Sequence, residues 1–211
     1  MLRSPLTLVR SYRLVLATAI LIAVVYLFSQ AYSGPRFVIT FLSYFTIQSN
    51  LFAAVVLLWN ATLPPAGAPT LRRELVRGGS VLYLSITGII FSLLLSGYND
   101  QVQGAMVWTN VMLHYIAPVA VFLDWLIDPP SRALTFRRAL VWLVYPFLYL
   151  AYTMIRGAAT GWYPYPFLDP GVVGGYGVVA VFGVVVLVGM LAFTALLVAV
   201  KQLSPPAVVV N

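Results

Sequence analysis

Six apolar runs, at 14–32, 37–59, 81–95, 105–126, 139–155 and 172–200, dominate this chain, and most match the roughly 20 residues that a helix needs to cross a bilayer core. Inside lipid every backbone N–H and C=O must find its partner within the protein, so runs of this kind fold as helices. The sequence therefore predicts an all-α integral membrane protein with six transmembrane helices. Residues 1–203 read as one six-helix domain and 204–211 as a disordered tail. Composition agrees, since 8% of the 211 residues are charged, against roughly 25% in a soluble domain. The first run follows Arg3, Arg10 and Arg13 as in a signal peptide, but its length and the five runs behind it favour an uncleaved anchor.

The net charge of +7 is arranged for membrane orientation. Of the twelve Lys and Arg residues, ten fall at the amino end, in the second and fourth loops and at Lys201, leaving Arg36 and Arg156 on the other side. That asymmetry predicts both termini in the cytoplasm and a place in the cell membrane, plasma or inner. Charges spread so thinly between apolar runs give no expectation of nucleic acid binding. Trp59 and Trp162 fall near the expected interfaces, where indole rings anchor helices. With no Cys and a single His, the chain has neither a thiolate nor a multi-His metal site to offer, and no metal is expected. Pro- and Gly-rich linkers join the runs, and "RGAATGWYPYPFLDPG" is the longest. No internal repeat supports an inverted-repeat transporter.

Polar side chains inside apolar runs cost free energy unless they face protein or water, which makes them the informative positions. In "SYFTIQSN" of the second run, Ser43, Thr46 and Asn50 recur at i, i+3 and i+7 with Ser49 beside them. The fourth run, "WTNVMLHYIAPVAVFLDW", holds the one His, His114, four residues after Asn110. Each group reads either as interhelical hydrogen bonding or as chemistry. Thr46 and His114 each lie nine residues in from one end of the bundle, roughly 13 to 14 Å deep, so they can meet at one level. In contact they would form a minimal activated nucleophile, Thr46 attacking and His114 taking its proton, with acyl transfer as the chemistry. Asn50 or Asn110 would supply donors to the oxyanion. Asp124, about 15 Å along the helix from His114, is expected instead near the cytoplasmic end, satisfied by water or Arg.

In the fifth run Tyr145, Tyr149, Tyr152 and Arg156 form one stripe. It reads as an aromatic seam ending in an interfacial cation, or as a substrate track in which Arg156 holds an anionic group and Tyr152 and Tyr149 line the path. Pro118 and Pro146 interrupt the fourth and fifth runs and are expected to kink them. Gly171 and Gly175 form a small-xxx-small pair at the start of the sixth.

At "YFTIQSN", at "LHYIAPVAVFLDW" and at the loop "WYPYPFLD", the sequence resembles the androgen-induced and androgen-dependent TFPI-regulating family of multi-pass membrane proteins and its bacterial relatives, over roughly 14–200. The resemblance implies a six-helix membrane hydrolase without metal or organic cofactor. It implies a threonine nucleophile and a histidine that cleave fatty acid esters of hydroxy fatty acids, roles that fall on Thr46 and His114. Lipid esters are then the expected substrates and membrane lipids the surroundings. Two other classes stay open on the residues alone: a transporter, small-molecule or proton-coupled, whose path Thr46, Asn50, Asn110 and His114 would line, and a non-catalytic lipid-binding protein.

Overall fold

The computed structural model describes residues 5–30, 37–62, 69–97, 106–132 and 134–203; the tail 204–211, Arg3, Arg36, the Lys201 side chain and most of the first three linkers lie outside the described residues. Among those described the chain is helical and contains no strand. In order the helices are α1 (Pro5–Gln30), α2 (Phe37–Leu42), α3 (Phe45–Thr62), α4 (Leu71–Leu95), α5 (Met106–Ile127), α6 (Phe136–Thr160), α7 (Pro170–Val173) and α8 (Tyr176–Leu203). Six of them, α1, α3, α4, α5, α6 and α8, are long and apolar enough to cross a membrane. Helix α4 is central and packs against α3, α5, α6 and α8, while α1 lies against α3 and α5. The outward faces are apolar too, with Val15, Ile22 and Val25 on α1 and Val181, Val184 and Val188 on α8 exposed. A bundle solvated by lipid has no reason to turn polar groups outward.

The fold corrects several sequence boundaries. Helix α4 begins at Leu71 rather than 81, capped by the Thr70 hydroxyl, which accepts from the Arg73 N–H at 3.3 Å. Its first turns bury Arg73, Glu74 and Arg77 because partners await them. Arg73 Nε donates to Asn60 Oδ1 at 2.9 Å and the guanidinium lies over the Trp59 ring. Arg77 and Arg13 converge on Asp124 at 3.3 and 2.7 Å and both reach Asp128, while Glu74 accepts from the Ser131 N–H at 2.8 Å. Asp124 is thus satisfied by arginine near the end of the bundle where α1 starts and α8 ends. At the other end α8 starts at Tyr176, not 172. Gly174 and Gly175 adopt positive φ, so Gly171 and Gly175 do not share a helix, and no side chain approaches Gly175 closely.

The second run is not one helix. It breaks at Ser43–Tyr44, where neither Gly nor Pro announces a break, and restarts at Phe45. Carbonyls freed by such a break need partners inside a membrane. Gln48 Nε2 donates to the Leu42 carbonyl at 2.6 Å, and the Tyr149 hydroxyl to the Ser43 carbonyl at 2.9 Å. Ser43 therefore lies just past α2 and Thr46 in the first turn of α3, and the i, i+3, i+7 face drawn through Ser43, Thr46 and Asn50 is interrupted.

Candidate active site

Thr46 sits in the first turn of α3, where backbone N–H groups have no partner one turn back. Its N–H donates instead to the Tyr165 hydroxyl oxygen at 3.2 Å. Its own hydroxyl lies 3.2 Å from His114 Nε2 and 3.4 Å from the Tyr165 hydroxyl. The other ring nitrogen, His114 Nδ1, is 3.1 Å from the Asn110 carbonyl. A carbonyl only accepts, so Nδ1 carries the proton and Nε2 presents a lone pair to Thr46. The Thr46 O–H then donates to His114, which is the polarity a general base requires.

Two π-helical turns place the imidazole. One spans Met112–Ile116 and contains His114, and the other spans Phe91–Leu95 in α4. Phe91 opens the second and stacks on the His114 ring with centroids 3.9 Å apart. Pro118 lacks the N–H that would bond the His114 carbonyl in an α-helix, and the Ala117 N–H reaches back to Met112 instead. Gly88 accepts the approach of this carbonyl, since a Cβ there would stand 2.9 Å from the His114 oxygen. The two helices can approach this tightly beside the imidazole because the sequence puts glycine there.

Asn50 bridges α3 and α5, its amide donating to the Thr46 carbonyl at 2.9 Å and the Leu113 carbonyl at 3.2 Å. Both amide protons are committed, so Asn50 clamps the two helices beside the Thr46–His114 pair rather than facing a substrate. Asn110 orients His114 through its backbone carbonyl and does not line the cavity described next. Ser49 bonds Thr87 Oγ1 across to α4 at 3.1 Å.

A cavity with about 840 Å³ of empty space, its open mouth included, reaches Thr46. Phe45, Ile86, Phe91, Leu143, Tyr149, Tyr165, Phe182 and Met190 are among its walls, which come from α3, α4, α6, α8 and the 161–169 loop. Apart from a few hydroxyls the lining is apolar. Of the tyrosine stripe only Tyr149 touches the cavity. Tyr152 bonds Ser43 Oγ at 2.7 Å and Tyr145 bonds Gln48 Oε1, so the stripe is a seam between α6 and the broken second span. Arg156 belongs to the same seam, donating to Thr40 Oγ1 at 3.1 Å with its guanidinium 4.2 Å from the centre of the Trp162 ring.

Tyr165 is the residue that sequence reasoning missed. The loop carrying it turns back over α6, where Tyr163 packs on Gly157 so tightly that a Cβ there would lie 2.0 Å from the ring. Its signal was a tyrosine set between Pro164 and Pro166, a stiff segment unlike the other linkers. Fold and site together define a multi-pass membrane protein of six membrane-length helices, with a buried threonine hydroxyl on an apolar cavity against a half-buried imidazole. Comparison with family models, curated proteins and solved structures finds no match to this chain.

Proposed function

We propose that the protein is a membrane-embedded lipid ester hydrolase, with Thr46 as nucleophile and His114 as base. One observation carries the reading: Thr46 Oγ1 lies 3.2 Å from an unprotonated His114 Nε2, on the wall of an apolar cavity. The base is oriented by a third group, the Asn110 carbonyl, as in other activated nucleophiles. A cavity so poor in polar groups fits a hydrocarbon chain. In the forward step Thr46 Oγ bonds the ester carbon, its proton passes to His114 Nε2, and the same proton leaves with the alcohol as the ester C–O bond breaks. Water then attacks the acyl-threonine, gives one proton to His114, and releases the fatty acid as Thr46 regains that proton.

The resemblance to the androgen-induced and androgen-dependent TFPI-regulating family supports fatty acid esters of hydroxy fatty acids as the substrate. The Lys and Arg asymmetry supports cytoplasmic termini in the cell membrane, which would put the Thr46 site in the outer half of the bilayer. A proton-coupled path has less support, because Asp124, the carboxylate on the same helix as His114, is tied to Arg13 and Arg77.

The test is hydrolysis of a lipid ester panel, including an ester of a hydroxy fatty acid, by detergent-purified wild type, Thr46→Ala and His114→Ala, alongside labelling with a fluorophosphonate. Turnover and labelling by wild type, both lost in the two folded variants, support the reading. Labelling that persists in Thr46→Ala sinks the nucleophile. Saturable fatty acid binding with no turnover on any ester would leave a lipid-binding protein.

A further inference from the structure

We infer that Tyr165 is the oxyanion donor of the Thr46 site, an assignment that rests on the hydrolase reading. Attack by a threonine turns the ester carbonyl oxygen into an alkoxide, and in an apolar cavity that charge needs a donor already in place. The hydroxyl-bearing residues on the cavity wall are Thr46, Thr87, Tyr149 and Tyr165. Thr46 faces His114, Thr87 donates to the Tyr83 carbonyl at 2.9 Å, and Tyr149 donates to the Ser43 carbonyl. Both amide protons of Asn50 are bound to carbonyls as well. Tyr165 alone among these keeps a proton that neither a carbonyl nor the His114 ring holds.

The geometry directs that proton. The phenol oxygen accepts from the Thr46 N–H at 3.2 Å, which pins the oxygen beside the nucleophile and leaves its own proton unused by that bond. In the resting site the nearest acceptor is Thr46 Oγ1 at 3.4 Å, too long for a strong bond and easily exchanged for a substrate oxygen. The ring is held by a near-parallel stack on Phe167, with planes 7° apart, and by the edge of Tyr44. The 165–168 turn closes through a Leu168 N–H to Tyr165 carbonyl bond of 3.0 Å. Burial pushes the Tyr165 phenol above its ordinary value, so it remains a donor throughout the neutral range. The break at Ser43–Tyr44 contributes too, because it puts the positive end of the α3 dipole at the same spot.

During the step the Thr46 Oγ–carbon bond forms and the carbonyl π pair moves onto oxygen. The Thr46 proton goes to His114, and Tyr165 donates a hydrogen bond while keeping its own proton. Collapse returns the pair, breaks the ester C–O bond and sends the His114 proton out on the alcohol.

The experiment compares wild type with Tyr165→Phe, and with 3-fluorotyrosine placed at 165, measuring kcat and KM on a p-nitrophenyl acyl ester, the labelling rate with a fluorophosphonate, and thermal unfolding. Loss of one oxyanion donor lowers kcat by about 100- to 1000-fold, so Tyr165→Phe is expected to fall in that range with KM within about twofold and labelling slowed in parallel. The fluorinated ring, a stronger donor of nearly the same shape, is expected to retain kcat and to shift only the alkaline limb of the pH profile. Unchanged kcat in a folded Tyr165→Phe overturns the inference. So does a fluorinated variant that tracks Tyr165→Phe, which would mean that ring packing alone matters. Wild type that hydrolyses without needing Thr46 removes the hydrolase pair and the role of Tyr165 with it.

Discussion

Near the start of α4, Arg77 meets Asp124 and Asp128 with Arg13 alongside; about 21 Å further along the same helix, Phe91 stacks on His114 where it faces Thr46. Both clusters are largely buried and join α4 to α5, yet their chemistry is opposite. The first is made of full charges, each matched by a counter-charge or carbonyl. A charge buried in low dielectric survives only with that degree of pairing, and the wall of the cavity at Thr46 does not include Arg13, Arg77 or Asp124. The second is built from neutral groups, a hydroxyl, an imidazole and a phenol, which are cheap to bury and become charged only as a reaction proceeds. It is also incomplete, since the Tyr165 proton has no carbonyl partner and Thr46 faces open space. Every charge of the ion cluster has a counter-charge, although Arg77 Nε has no partner of its own, as suits a structural clasp; the hydroxyl cluster instead keeps a donor beside a cavity, which is what the proposed reaction needs.

The comparison breaks most visibly at the nucleophile. Thr46→Ala or His114→Ala should cut ester turnover by at least roughly 1000-fold, with unfolding temperature within a few degrees of wild type. An equal loss of stability would make the pair another clasp. The ion cluster should behave in reverse. Asp124→Ala takes the buried carboxylate from between Arg13 and Arg77, leaving them the half-exposed Asp128 and, for Arg77, Glu74 at 3.6 Å, and should cost up to about 3 to 5 kcal/mol of stability, read by denaturant unfolding in detergent. Turnover per folded molecule should stay within about twofold, and a selective fall in kcat would place Asp124 in the mechanism instead.

How much of this was legible follows the same division. A bilayer dictates long apolar helices, so the six spans could be read from the chain, and equal depth brought Thr46 and His114 together on paper. Helix α4 was started late because Arg73, Glu74 and Arg77 end the apolar run. Their partners Asn60, Asp124, Asp128 and Ser131 lie on other segments, and no window along the chain contains them. The break at Ser43–Tyr44 is hidden for the same reason, because beside Gln48 the groups that satisfy it, Tyr149 and Tyr165, come a hundred residues later. Asn50 and Asn110 were read by residue type as oxyanion donors. What they do depends on which carbonyls lie near, and that is a property of packing.

A finer break concerns placement rather than chemistry. Gly88→Ala adds a Cβ that would stand 2.9 Å from the His114 carbonyl oxygen, so α5 must shift relative to α4. Displacements approaching 1 Å at a reacting group cost up to about 100-fold. Gly88→Ala should therefore lower kcat by roughly 10- to 100-fold while leaving fluorophosphonate labelling confined to Thr46. Full activity would show that the π-helical turns absorb the strain.

The smallest effect is expected at the stripe that a sequence reading offers as a substrate track. Tyr152 lies outside the cavity, and its hydroxyl contributes one bond of 2.7 Å to Ser43 Oγ. Hydrogen bonds between membrane helices are worth about 0.6 kcal/mol on average, so Tyr152→Phe should shift stability by about that amount and leave KM for the ester unchanged. The Ser43 hydroxyl also donates to the Ile39 carbonyl at 2.6 Å, so it keeps a partner when the phenol is removed. A several-fold rise in KM would instead place substrate along α6, and the division between seam and cavity would have to be redrawn with Tyr152 on the substrate side.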